Sequence, residues 1–168
     1  MGVAIGVAAG ETFGVGMGNR RRARELAMQA LFYMDMRQKN SQEMVDLFCQ
    51  CFTPSPKNLP FFMELVNGVM NHKPQIDAII ERFSNNWKIS RMSCVDRNIM
   101  RIAVYEMLFR RDIPPKVSIN EAIDVGKKFG TEESGAFING ILDSIRVALE
   151  KKIIEINGIE QSNRINSL

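Results

Sequence analysis

Asn19 to Asp35 reads NRRRARELAMQALFYMD, and this stretch sets the class of the fold. Leu26, Ala27, Ala30, Leu31 and Met34 recur at helical spacing, so the segment is an amphipathic helix that docks into a core. Its front end carries Arg20, Arg21, Arg22 and Arg24, with no acid in the stretch before Glu25. Arginines at a helix N-terminus oppose the macrodipole, so helix stability does not explain them. Their planar forks match phosphate oxygens and stay charged. One helix thus combines a buried stripe with a basic tip suited to an anion; the plainer reading of the tip is a solvated helix start.

The same periodicity continues outward. Asn40 with Glu43 three residues on has the pattern of a capping box, opening a second helix that buries Met44, Val45, Phe48 and Phe52. The TPSPKNLP segment, Thr53 to Pro60, ends it. Pro60 fits the first turn of a third helix, whose inner face is Phe62, Leu65, Val66, Val69 and Met70. Pro74 starts a fourth, with Ile76, Ile79, Ile80 and Phe83 inward. A connector from Asn85 to Arg91 holds the single tryptophan, Trp87, read as helix packing or, more sharply, as a platform for a nucleic-acid base. Ser93 caps a fifth helix, and its wide stripe of Val95, Ile99, Ile102, Ala103, Leu108 and Phe109 marks it as central. Ser118 and Glu121 form another capping box for a sixth, which Gly130 is placed to end in the left-handed conformation. The last helix begins near Thr131 to Ser134 and runs to about Ile154, with Phe137, Ile138, Ile141, Leu142 and Ile145 inward. Gly140 inside it costs about 1 kcal/mol relative to alanine, which a close helix contact would explain.

No stretch alternates like a strand. The expectation is an all-α fold of about seven helices in two small subdomains, about residues 19–84 and 93–154, divided by the connector around Trp87. Residues 1–18 are rich in glycine and hold no helical face, and MGNRRRAR from Met17 reads as a start; they are expected to be a flexible or non-native extension. Residues 155–168 are expected to be a flexible tail.

A chain of 168 residues, 45% of them hydrophobic, can bury a substantial core. Its net charge is only +3, so positive charge acts locally rather than as a general polycation. No apolar run approaches the ~18 residues of a membrane span. Cys49, Cys51, Cys94 and the single histidine, His72, offer too few ligands at plausible spacing for zinc. An odd cysteine count without framework spacing points to a reducing, cytoplasmic compartment. A Ser–His or Cys–His pair would have to use His72, and no nucleophile elbow, phosphate-binding Walker loop or dinucleotide fingerprint is present. Neither a catalytic site nor a cofactor is expected.

Three blocks carry a family resemblance. RRRARELAMQALF, Arg20 to Phe32, resembles the N-terminal motif of the NusB family; DRNIMRIAVYEML, Asp96 to Leu108, resembles its central helix; VSINEAIDVGKKFGTEESGAFINGILD, Val117 to Asp143, is similar to its C-terminal signature. In family order the resemblance covers about residues 19–152. It implies an all-helical fold of two subdomains and a transcription antitermination factor that binds the boxA element of nascent ribosomal RNA transcripts. It implies partnership with NusE, a small-subunit ribosomal protein, and assembly with NusA, NusG and RNA polymerase. It also implies self-association into a homodimer in some members.

By the same resemblance, Arg20, Arg21, Arg22 and Arg24 match the RNA-binding start. Gln29 reaches RNA if it lies on the exposed face. Phe32 and Phe137 match aromatics near the RNA surface, plain core being the other reading of each. The family often has tyrosine at the position of Phe32, so a hydroxyl contact is absent here. Ser134, or the free N–H groups of the last helix, could take a phosphate, while Glu133 beside it would repel one. Asp96, Arg97, Tyr105 and Glu106 are expected to form an exposed polar edge for NusE; Asp96 could equally support its helix N-terminus, and Tyr105 could be core. Four single-strand phosphate contacts imply a log–log salt slope of roughly −3. Two other readings stand beside this one. Similar helical domains precede the catalytic domain of some ribosomal RNA cytosine methyltransferases, an activity that needs a long α/β region of which these residues carry no pattern. A protein-interaction module would instead turn the arginines toward an acidic partner.

Overall fold

The apolar stripe of the opening stretch enters a core: Leu26, Ala27, Ala30, Leu31 and Met34 are all buried. The computed structural model describes residues 15–154, with side chains from residue 18 onward. The helices are α1 (Val15–Arg37), α2 (Gln42–Phe52), α3 (Leu59–Phe83), α4 (Cys94–Phe109), α5 (Pro115–Phe129) and α6 (Ser134–Glu150), with one 3-10 turn at Ile89–Arg91 and no strand among the described residues. Residues 15–18, expected to precede the first helix, form its opening turn. The rest of the expected extension and tail lies outside the described residues.

Six α-helices replace the expected seven because the third and fourth are continuous. Pro74 lacks the N–H that would close its turn, yet α3 passes through it with one non-helical residue, His72, at φ −121° and ψ 16°. The His72 ring meets the Gly68 carbonyl through Nδ1 at 2.9 Å.

The expected caps are partly displaced. Ser93 caps α4 as read, its Oγ accepting from the Asp96 N–H at 3.0 Å. Ser41 rather than Asn40 caps α2, accepting from the Met44 N–H. Ser118 caps nothing. Pro115 supplies a preset φ and α5 starts there, so Ser118 lies one turn inside and donates to Glu106 Oε1 at 3.2 Å. Gly130 follows α5 with φ −96° and ψ −155°, extended rather than left-handed.

α4 is the axis of the molecule. Every residue from Asn98 to Leu108 is buried, and α1, α3, α5 and α6 all pack against it. One apolar cluster runs through residues of all six helices. The close crossing of α3 and α4 depends on Gly68, where an added Cβ would collide with the Tyr105 ring. Gly140, expected to mark such a contact, marks none: a Cβ there would meet nothing within 4 Å.

Polar groups pin the same joint. Asp35 of α1 accepts from Arg97 Nε at 2.9 Å, Arg101 Nη1 at 2.8 Å and Asn98 Nδ2 at 3.0 Å. Arg101 also forks onto Asp77 of α3 at 2.7 and 2.9 Å. Burial opposes ionisation of Asp35, but Arg101, Arg97, Asn98 and Lys73 together hold its carboxyl down at about 2.

Candidate nucleic-acid interface

The basic tip divides by helical phase. Arg24 lies three residues before Ala27 and seven before Leu31, on the buried stripe. It is 5% exposed. Its guanidinium forks onto Glu106, with Nε at 3.0 Å from Oε2 and Nη2 at 2.6 Å from Oε1, and its Nη1 stands 3.7 Å from Glu121. The expectation of four surface arginines is corrected here: Arg24 and Glu106 neutralise each other inside the protein, where an unpaired charge would be costly.

Arg20, Arg21 and Arg22 are each about half exposed. Arg20 stands 3.6 Å from Asp112 and 5.5 Å from the Phe61 ring centre. Arg21 places Nε and Nη2 on the two Glu121 oxygens at 2.9 Å each, and Nη2 also reaches Asp124 at 2.9 Å. The Arg21 hydrogen bond lowers the Glu121 pKa against the opposing effect of burial. Arg22 bonds Glu25 at 3.1 Å, and Glu25 is held in turn by Lys128 at 2.9 Å.

Gln29 lies two turns beyond Arg22 on the same face and is partly exposed. With Phe32 it lines an apolar groove of about 330 Å³ completed by Met28, Tyr33, Phe48, Phe52, Val95 and Phe129. Phe32 is half-buried and packs against the core. Phe52, expected to be inward, is 58% exposed and stacks on Phe48 with centroids 4.7 Å apart.

A second cavity, of about 180 Å³, adjoins the groove: Val95 and Phe129 line one, Asp96 and Thr131 the other. Its walls include Trp87 and Phe137, edge to face at 6.0 Å. Trp87 is half-exposed. Ser134 is buried, and its Oγ accepts from the Thr131 N–H at 2.9 Å, so the hydroxyl is engaged in closing the α5–α6 turn. Asp96 is 8% exposed and its Oδ1 has no hydrogen-bond partner. A buried carboxylate oxygen without a donor costs free energy; Oδ1 is itself closed off from solvent, while Asp96 as a residue lines a cavity whose walls include two aromatic rings. No sequence pattern singled out Asp96 for this place; only the packing of the connector and α6 against the first turn of α4 creates it.

The expected polar edge of α4 is corrected. Tyr105 is 8% and Glu106 1% exposed, buried against Gly68 and Arg24 respectively, so neither presents a surface. Asp96 is likewise buried. Arg97 is partly buried and bonded to Asp35. Among the described residues no group of three or more His, Cys, Asp or Glu could hold a metal, and no helix is long and apolar enough to cross a membrane.

These features define an all-helical domain organised about one buried helix, with a basic helix tip and two aromatic-lined clefts. The chain belongs to the NusB family, whose model matches residues 21–146. The transcription antitermination protein NusB of Desulfatibacillum aliphaticivorans is 63% identical over 137 residues, covering 81% of this chain and 95% of that protein. That of Myxococcus xanthus is 48% identical over 139 residues, covering 80% and 99%. Among solved structures, NusB of T. maritima aligns with TM-score 0.67 at 37% identity, covering 75% of this chain and 89% of that one. A crystal structure of the antitermination factors NusB and NusE in complex with dsRNA contains a chain that aligns with TM-score 0.70 at 29% identity, covering 79% and 98%. These relatives are transcription antitermination proteins rather than enzymes.

Proposed function

We propose that this chain is a cytoplasmic transcription antitermination factor that binds the boxA element of nascent ribosomal RNA transcripts jointly with NusE, and with it joins NusA, NusG and RNA polymerase. The observation that carries the RNA reading is the cavity at the α4 N-terminus. Trp87 and Phe137 offer faces and edges on which an unstacked base can lie. Gln29 and Phe32 line the adjoining groove, and Arg20, Arg21 and Arg22 supply phosphate contacts from the helix tip. The relatives' role and the NusE complex of the structural neighbour support the same assignment.

With Arg24 buried, three tip arginines remain, and the expected salt slope falls to roughly −2. Fluorescence anisotropy with a boxA-like RNA and a scrambled control, with and without the cognate NusE across a salt series, tests the proposal. Selective binding strengthened by NusE is expected. Equal binding to both RNAs, unmoved by NusE, would overturn it in favour of an interaction module.

A further inference from the structure

Arg21 and Arg22 are not free cations in this structure. Arg21 spends three of its five N–H donors on Glu121 and Asp124, and Arg22 is bonded to Glu25. A phosphate must therefore compete with carboxylates for both. The two buried carboxylates involved each have a second cation. Glu121 keeps Arg24 Nη1 at 3.7 Å when Arg21 leaves, and Glu25 keeps Lys128 Nζ at 2.9 Å when Arg22 leaves. Glu106 has no such reserve: apart from Arg24 it has only the Ser118 hydroxyl. The difference matters, because stripping the sole cation from a buried carboxylate is costly, whereas exchanging one of two is not.

We infer that Glu121, Asp124 and Glu25 hold Arg21 and Arg22 in an exchangeable, self-masked state, from which a nucleic-acid phosphate releases them while Arg24 and Lys128 keep the buried carboxylates balanced. These acids are positioning residues. They fix the two forks against α5 and α1 in the free protein and set a threshold that weakly charged or sparsely contacting ligands do not pass. The inference rests on the RNA reading above and adds the intramolecular competitor.

The test is a double-mutant cycle between Arg21→Ala and Asp124→Asn. Asp124 is about half exposed and sits at the rim of the masked site, so its replacement leaves the core intact. The ligand is a single-stranded boxA-like RNA, read by anisotropy at low and moderate salt. Asp124→Asn is expected to tighten binding roughly threefold to fivefold, the scale of one exposed ion pair. In the Arg21→Ala background the same change is expected to give no gain. An equal gain in both backgrounds means plain repulsion between Asp124 and RNA and overturns the inference, as does no gain in either. A readout independent of RNA separates this from failure of the functional reading. In the free protein, the side-chain Nε–Hε correlation of Arg21 should show slow exchange with solvent, and Glu121→Gln should abolish that protection. If protection is present but no variant binds RNA, the functional reading fails and the exchange with it. If Arg21 is unprotected in the free protein, the masking itself is wrong, whatever RNA does.

Discussion

At the scale of single residues, the arginine cluster separates into two kinds of charge. Arg24 is a structural cation: it is buried, it forks onto Glu106, and its removal strands a carboxylate that is 1% exposed. Arg24→Ala should therefore cost about 3–5 kcal/mol of stability in urea unfolding. Arg22 is a surface cation whose partner Glu25 retains Lys128. Arg22→Ala should cost under about 1 kcal/mol and flatten the RNA salt slope by about 0.7. A slope unchanged by Arg22→Ala would remove Arg22 from the interface. The phase that distinguishes them is written in the chain, since Arg24 falls on the stripe of Ala27 and Leu31. What the sequence does not carry is the identity of the acid that makes its burial tolerable. Glu106 lies 82 residues away, and only the packing of α1 on α4 brings them together.

At the scale of helices, two glycines make opposite predictions. Gly68 lies where α3 crosses α4, and a Cβ would strike the buried Tyr105 ring. Gly68→Ala should force the helices apart and destabilise the protein by about 1–3 kcal/mol. Gly140 is an exposed position inside α6 with open space around it. Gly140→Ala should stabilise by about 0.5–1 kcal/mol through helix propensity and a smaller unfolded-state entropy. Thermal or urea unfolding of the two variants checks both signs, and a destabilised Gly140→Ala would refute the second. Helix spans and inner faces were legible from periodicity, because a 3.6-residue repeat is a local property. The merger of two helices across Pro74 was not, because proline signals an interrupted ladder and not whether packing carries the axis through it.

At the scale of the whole molecule, α1, α3 and α4 are joined by the Asp35–Arg97–Arg101–Asp77 network. The Asp35 carboxyl is held at about 2 in the folded state against roughly 3.9 in an unfolded chain. A depressed folded value means the contribution is fully present above about pH 4 and is lost as pH falls toward 2. Asp35 is 8% exposed, so the linkage is worth on the order of 2 kcal/mol. In urea titrations, the stability advantage of wild type over Asp35→Asn should shrink by about that amount between pH 4 and pH 2. A constant gap across that window would show that Asp35 does not carry the linkage.

Local signals in the sequence were sufficient for the helical class, most helix boundaries, the apolar faces, the basic tip and the family motifs. Helical periodicity, the Ser93 cap and contiguous motifs are all read within a few turns of chain. Tertiary structure alone decided which acid makes the burial of Arg24 tolerable, that Tyr105 and Glu106 face inward, and that Asp96 shares a cavity with Trp87 and Phe137. The reason is common to all three. Whether a polar side chain is surface, buried partner or cavity lining depends on which distant element covers it, and that follows from how the helices pack around α4.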